Sequence, residues 1–209
     1  MYTPSSLRKP EIAKSAAPSL NSLDVKPTRT FTVSTKRATF GATVCRFTTA
    51  TETFETSIAN ATTITFASGI ISTGEGGTIN NEVSGGRYFG MVDTASGVSS
   101  AFGRICWRFP IPILALGADW IGTSDSNGLT LSGNFDGNET RTVSFNEVLG
   151  FPGNGFLGIV GTTPFSEIIF QGEGLRFGAE GFRVGNLLIA FAPFGQYDRR
   201  TNIVQFPRR

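Results

Sequence analysis

Histidine is absent from this chain of 209 residues, and every lysine lies within its first 36 residues. The lack of histidine excludes Ser-His and Cys-His nucleophile pairs and imidazole metal ligands. The lack of lysine beyond residue 36 excludes Schiff-base chemistry there. Paired carboxylates, as in glycoside hydrolysis, are the main enzymatic option left. The spacing of Glu52, Glu55, Glu167, Glu173 and Glu180 does not distinguish them from solvated turn residues, so we predict a protein that is not an enzyme and needs no cofactor.

Long apolar runs are also missing. No stretch approaches the roughly 18 apolar residues of a transmembrane helix, and the first residues lack the apolar segment of a secretory signal. We therefore expect that the protein does not associate with membranes and that it is made in a cytoplasm. Cysteine is scarce as well, because Cys45 and Cys106 are the only two, and in a reducing compartment both are expected to be free thiols.

The net charge of +2 conceals an uneven distribution. Residues 1–38 carry +5 and residues 191–209 carry +3, so the remainder carries −6. Basic ends on an acidic body suggest segments that bind an acidic neighbour. The predicted partner-binding residues are the basic side chains of both ends: Arg8, Lys9, Lys14, Lys26, Arg29, Lys36, Arg37, Arg199, Arg200, Arg208 and Arg209.

The chain divides into three parts by composition. Residues 1–38 contain Pro4, Pro10, Pro18 and Pro27 in a Ser/Thr/Lys-rich stretch without periodicity, which predicts an extended arm. Residues 39–192 consist of short β-type runs between Gly, Asn and Asp turns. Residues 193–209 form a basic and aromatic tail. The fold class predicted is all-β, an antiparallel jelly-roll β-sandwich with an extended N-terminal arm and a short C-terminal tail.

Alternation within Arg104–Phe109 predicts one buried and one polar sheet face, with Ile105, Trp107 and Phe109 buried. Asn127-Gly128 and Asp136-Gly137 are typical of tight hairpin turns, and they bracket the predicted strand Leu129–Phe135. The predicted strands are Thr43–Thr48, Thr62–Ala67, Arg87–Val92, Ser100–Phe109, Ile113–Trp120, Leu129–Phe135, Arg141–Glu147, Phe156–Val160, Glu167–Gln171 and Gly181–Phe191.

Two local features have alternative interpretations. Asp119, Asp125, Asn127 and Asp136 supply oxygen ligands of the kind that calcium prefers, but turn chemistry explains most of them, so no metal is predicted. Cys106 lies between Arg104 and Arg108, and two cations would lower the pKa of its thiol. A small residue on a covered sheet face is the alternative that we favour.

Seven runs within the body carry a family resemblance: Thr53–Glu55, Gly86–Gly90, Ile105–Pro112, Ala115–Asp119, Gly155–Ile159, Pro164–Phe170 and Gly181–Leu187. Through these runs the body resembles the jelly-roll domain of bacterial exported proteins of the PEP-CTERM-sorted kind. The resemblance implies a sandwich and says little about function. In the family's usual Gly-Phe-x-Ile-Asp-Asn ending, Gly185 stands here in place of the aspartate.

The whole chain resembles a bacteriophage capsid decoration or cement protein, because it combines a β body with basic ends and no export signal. This resemblance implies a virion structural protein, made in the host cytoplasm, whose arm staples neighbouring shell subunits. Its expected partners are the major capsid protein or another virion protein and other copies of itself, as a homo-oligomer such as a trimer. The acidic body argues against a nucleic-acid partner.

A carbohydrate- or surface-binding β-sandwich module is the alternative function. It would bind through a concave sheet or through loop aromatics, for which Trp107, Trp120 and Tyr88 are the candidates. Trp107 is also a candidate core residue, because it belongs to the buried face of its predicted strand.

Overall fold

The computed structural model describes residues 31–93, 103–123, 128–172 and 178–192, together with the backbone of 197–198 and 203–204. The helices are α1 (Arg37–Val44) and α2 (Phe145–Leu149). The strands are β1 (Thr32–Ser34), β2 (Thr48–Glu52), β3 (Thr63–Thr65), β4 (Ile71–Glu75), β5 (Thr78–Ser84), β6 (Arg87–Asp93), β7 (Arg104–Ile121), β8 (Leu129–Gly133), β9 (Arg141–Ser144), β10 (Gly155–Gly172), β11 (Ala179–Phe191), β12 (Tyr197–Asp198) and β13 (Ile203–Val204).

The fold is an antiparallel β-sandwich, as the sequence predicts. Every strand pair in the described part of the chain is antiparallel. Eleven strands join in one continuous sheet, and β12 and β13 pair only with each other. Within the described residues, no helix is long and apolar enough to cross a membrane.

Two strands of 18 residues, β7 and β10, run through both layers of the sandwich. In the first layer, the second half of β7 pairs with the first half of β10 and with β11, to which β2 and β6 are added. In the second layer, the first half of β7 pairs with β4 and with the second half of β10, and β3, β8 and β9 complete the sheet. Pro110 and Pro112 on β7, and a register shift between Val160 and Phe165 on β10, mark the bends between the layers.

The two layers pack through aromatic side chains. Tyr88, Trp120 and Phe182 come from the first layer, and Trp107 and Phe170 from the second. The ring centroids of Tyr88 and Trp107 lie 5.0 Å apart, and those of Phe170 and Phe182 lie 4.9 Å apart. All five side chains are at most 1% exposed. Such contacts stabilise the core beyond the area that they bury, by about 0.5–1.5 kcal/mol a pair.

Several predicted strands differ from the structure. Thr43–Thr48 spans the end of α1, its connection to β2 and only the first residue of β2, because Phe40 and Val44, four residues apart, bury one side of a helix against the first layer. Arg141–Glu147 ends as a strand at Ser144, whose hydroxyl caps α2 by accepting a hydrogen bond from the backbone N–H of Glu147. The sequence predicts two separate strands where β7 is continuous and two where β10 is continuous, and the structure has a bend at each predicted break. Strands β4 and β5 lie where no strand was predicted.

The division into arm, body and tail stays a prediction, because residues 1–30 and most of 193–209 lie outside the described residues. Of the predicted arm, the described part belongs to the sandwich: β1 pairs with β10, and α1 begins at Arg37. The ring of Phe40 lies over Gly117 and Gly158, which are opposite each other on β7 and β10. Helix α1 therefore covers part of the outer face of the first layer.

The substitution Gly158→Ala is expected to lower the free energy of unfolding by about 1–3 kcal/mol, because its Cβ would collide with the Phe40 ring. Gly41→Ala is the matched control. Gly41 lies in α1 next to Phe40, with no neighbouring atom within 4 Å of the added Cβ, so this substitution should raise stability by about 0.5–1 kcal/mol. Urea unfolding of both variants measures the effects, and an unchanged Gly158→Ala protein would contradict this packing of α1.

Candidate functional site

The outer face of the second layer carries ordered rows of side chains across six strands. The central row contains, from β3 to β9, Thr63, Thr73, Cys106, Ile169, Ser132 and Thr142. Directly opposite residues of antiparallel strands project from the same face. The row is therefore one continuous strip of mainly hydroxyl-bearing side chains.

Ion pairs flank this strip on both sides. The guanidinium of Arg108 donates from Nε to Glu167 Oε2 at 2.9 Å, and Arg104 pairs with Glu75 on the other side. The hydrogen bond from Arg108 holds the pKa of Glu167 below its ordinary value, despite partial desolvation that raises it. Glu167 is therefore a carboxylate at neutral pH and cannot serve as a proton donor there.

Cys106 lies between these two ion pairs and is only 6% exposed. Burial raises the pKa of its thiol to about 12, and its hydrogen bond to the Glu167 carboxylate acts in the same direction. The effect of Arg108 is smaller. The activated thiolate suggested by the flanking arginines is thus wrong, and the favoured alternative of a covered sheet residue is correct.

A cleft of about 350 Å³ opens at one end of this face, where β10 bends and the β8–β9 loop rises beside it. Polar side chains of both segments meet apolar ones from the bends of β7 and β10. The lining residues are Pro112, Ser132, Gly133, Asn134, Gly137, Thr140, Thr163, Pro164, Phe165, Ser166, Glu167 and Ile169. We call this the bend cleft.

The loop that forms one wall of the bend cleft is held by its own hydrogen bonds. Asn134 Oδ1 accepts from the Gly137 N–H at 2.7 Å, and Asp136 Oδ2 accepts from Arg141 Nε at 2.7 Å. Gly137 has φ +81° and sits against Thr163, so a side chain there would be strained and crowded. The wall is therefore preorganised.

Asp119, the first of the calcium candidates, lies on the opposite face of the molecule. Its two carboxylate oxygens accept from Arg37 Nη2 at 2.8 Å and from Asn186 Nδ2 at 2.9 Å. Burial alone would raise its pKa, but these hydrogen bonds outweigh it and lower the pKa. Arg37 also stacks on the Phe156 ring, 4.7 Å from the centroid. This cluster fastens α1 to the sheet.

The described residues contain no group of three or more metal-ligating side chains. Asp125 and Asn127 lie outside them, whereas Asp136 pairs with Arg141 rather than with other carboxylates. Of the basic partner-binding candidates, the structure describes only Lys36 and Arg37, both at the start of α1. The binding role of the basic residues stays a prediction.

The aromatic residues suggested for ligand binding belong to the core. Trp107, Trp120 and Tyr88 are each 0% exposed, and Tyr88 and Trp107 are in edge-to-face contact. Tyr88 also hydrogen-bonds Asn81 within a buried polar network. Sequence reasoning missed the bend cleft entirely. The one local signal was the run of Thr, Pro and Ser at residues 162–166, which reads equally well as an ordinary loop.

No family model matches the chain, and no curated protein matches it. Solved structures of family 29 carbohydrate-binding modules do. One of these, a mutant studied for ligand recognition, is 17% identical with a TM-score of 0.41, covering 69% of this chain and 93% of its own. A second is 18% identical with a TM-score of 0.38, over 68% and 89% of the two chains. A third, complexed with cellulohexaose, is 17% identical with a TM-score of 0.38, over 68% and 91%.

These matches correct the resemblances inferred from sequence. The structures found are carbohydrate-binding modules, so the resemblance to PEP-CTERM-sorted proteins and to phage capsid decoration proteins is wrong. The predicted virion function is wrong on the same finding. The predicted capsid and self-association partners are wrong with it. At this level of similarity the matches assign no ligand to the chain. A ligand has to be argued from the chain's own surface.

Thr163→Val is expected to raise the free energy of unfolding by about 1–2 kcal/mol, because Thr163 Oγ1 is buried without a hydrogen-bond partner in the protein. Valine keeps the shape and removes the unsatisfied group. Thr162→Val, at the neighbouring exposed position, is the control and should change stability little. Chemical denaturation measures both. A destabilised Thr163→Val protein would show that this hydroxyl has a bonding role.

Thiol labelling of the folded protein is expected to show one fast and one protected cysteine, since Cys45 is exposed and Cys106 is buried. The burial and raised pKa of Cys106 leave little accessible thiolate at pH 8. In a colorimetric thiol assay, Cys45→Ser should remove the fast phase, and Cys106→Ser should leave it intact. Equal rates for the two thiols would contradict the covered position of Cys106.

Proposed function

We propose that this protein is a non-catalytic, carbohydrate-binding β-sandwich module and that its bend cleft holds the sugar. The observation that carries the proposal is the lining of that cleft, where hydroxyl, amide and carboxylate groups stand beside proline and isoleucine surfaces. Ligand sites combine apolar walls with a few placed polar groups in about 300–1,000 Å³. The volume of the bend cleft is near the lower end of that range, which suits a small unit such as a sugar ring.

The polar groups match the edge of a sugar ring. Glu167 accepts hydrogen bonds, whereas the hydroxyls of Thr140 and Ser166 both donate and accept. Because the Asn134 carbonyl oxygen already accepts from Gly137, its side-chain NH₂ group remains as a donor. Vicinal sugar hydroxyls need such a mixture of donors and acceptors.

The apolar part of the lining matches the C–H face of a sugar. Pro112 and Pro164 lie at the bends of β7 and β10, and Ile169 lies on the floor. The two prolines have almost no side-chain freedom to lose. A sugar that packs on them therefore costs little side-chain conformational entropy on association. A ligand that offered only charge would leave this part of the cleft without a complementary surface.

Catalysis on such a sugar has little support. Glycoside hydrolysis requires two carboxyl groups flanking the scissile bond. Among the described lining residues Glu167 is the sole carboxylate, its pKa is lowered, and it is paired with Arg108. The absence of histidine removes the usual alternative general acid. Binding without turnover is therefore the function proposed.

A bulky substitution in the cleft tests the proposal. Ser166→Trp should occupy the bend cleft and reduce glycan affinity at least tenfold, because the side chain of Ser166 is exposed and lines the cleft. Thr162→Trp is the matched control, since it lies on the same bend, is exposed and is not among the lining residues. The measurement is binding to an array of neutral and acidic polysaccharides, followed by calorimetry on the strongest binder. The proposal is overturned if the unsubstituted protein binds no glycan on the array, or if both variants bind with equal affinity.

A further inference from the structure

The outer face of the first layer carries two arginines without a carboxylate partner. Arg87 lies on β6 and Arg183 on β11, and both are exposed. Their neighbours Tyr88 and Phe182 are buried in the core, so alternation along each strand directs both arginines outward. Among the residues that the structure describes, neither forms an ion pair, whereas every described arginine of the second layer does. We call the surface around Arg87 and Arg183 the arginine face.

The register brings the two arginines close together. Arg183 is directly opposite Phe89 on β6, and Arg87 lies two residues before Phe89. The two arginines are therefore diagonal neighbours on one face, about 7–8 Å apart. Gly185, on the other side of Arg87, has no side chain to fill the space between them and β7. Side chains as long as arginine can converge on one ligand group from this distance.

The guanidinium of Arg183 is held by an aromatic ring. Its Cζ lies 5.1 Å from the centroid of the Phe89 ring, which is a cation–π contact. The contact restricts the side chain but uses none of its N–H groups, so these remain as donors. A guanidinium with free N–H groups binds a carboxylate by two parallel hydrogen bonds. The arginine face is thus suited to a ligand that carries carboxylates.

The charges beside the two arginines limit how dense the charge of the ligand can be. Glu82 is opposite Phe89 on β5, and Asp119 is opposite Gly185 on β7. The Asp119 carboxylate already accepts hydrogen bonds from Arg37 and Asn186, but it keeps its negative charge. The two arginines therefore lie between two carboxylates. A densely charged polymer such as a nucleic acid would be repelled there, whereas a polymer with one carboxylate per unit would not.

The strands under the arginine face have no free edge. Strand β6 pairs with β5 and β11, and β11 pairs with β6 and β7, so their backbone groups are used within the sheet. An acidic peptide cannot add a strand here. The ligand has to be recognised by side chains alone. Phe89 and Ile121, on either side of Arg183, supply apolar surface that suits the C–H faces of sugar rings.

We propose that the arginine face binds an acidic polysaccharide, with Arg87 and Arg183 donating hydrogen bonds to the carboxylates of its uronate units. This inference goes beyond the proposed function, because the arginine face and the bend cleft lie on opposite faces of the sandwich and the ligand is charged. Each site can bind without the other. A protein with both sites would hold a charged and an uncharged polysaccharide at the same time.

Calorimetry with polygalacturonate at low salt tests the inference. Arg87→Ala and Arg183→Ala each remove one proposed donor. Arg104→Ala is the matched control, because it removes the same charge from an exposed arginine of the second layer. The methyl ester of polygalacturonate offers the same chain without charge, whereas dextran sulfate and polyglutamate offer anions of other chemistry. Melting curves verify that all three variants fold.

The unsubstituted protein should bind polygalacturonate at least about tenfold more tightly than its methyl ester, and added salt should weaken the binding. Arg87→Ala and Arg183→Ala should each lower this affinity at least about fivefold, and Arg104→Ala should leave it unchanged. The inference is overturned if the ester binds equally well, if Arg104→Ala lowers the affinity as much, or if dextran sulfate or polyglutamate binds more tightly.

Further outcomes separate this inference from the proposed function. If Ser166→Trp abolishes the binding of polygalacturonate, the ligand lies in the bend cleft, so the arginine face is wrong and the proposed function is supported. If polygalacturonate does not bind but a neutral glycan does, the arginine face is again wrong and the proposed function stands. If no polysaccharide binds, both are wrong.

Discussion

The alternation of side chains along β7 and β10 is the constraint on which the rest of the structure depends. Both strands pass through both layers, so each position is committed to the core or to an outer face. Trp107 and Phe170 pack into the aromatic centre of the sandwich, 4.9 Å apart between centroids. Their sequence neighbours Cys106 and Ile169 must then face outward beside each other. The core thus determines which side chains form the central row on the outer face of the second layer, and a one-residue slip would exchange the two faces.

Much of the fold could be predicted from sequence because this alternation is local. Arg104–Phe109 shows it plainly, and Ile105, Trp107 and Phe109 are buried as expected. The short helices were missed for a different reason. α1 has only Phe40 and Val44 as buried residues, and this pair does not stand out in a Thr-rich segment. For α2, the Ser144 to Glu147 spacing of a helix cap was present, but the preceding β-type residues concealed it.

The candidate site could not be predicted from sequence, because its parts are distant along the chain. Glu75 pairs with Arg104 and Arg108 with Glu167, and separations of 29 and 59 residues leave no local pattern. The bend cleft exists only once the β8–β9 loop stands beside the bend of β10. Large aromatics were a poor guide for the same physical reason. In a sandwich of this size they are needed between the layers, so Trp107, Trp120 and Tyr88 are unavailable at the surface.

The two outer faces differ in a way that bears on the ligand. On the first layer, α1 occupies part of the face, and Arg37, Asp119 and Asn186 bind one another to hold it there. On the second layer no described helix covers the central row, and the ion pairs lie along its sides rather than across it. Exposed pairs of this kind add little to stability, since the median contribution is about 0–1 kcal/mol. Their consequence is electrostatic. Each joins opposite charges on neighbouring strands, Arg104 with Glu75 and Arg108 with Glu167, so these charges beside the central row balance each other.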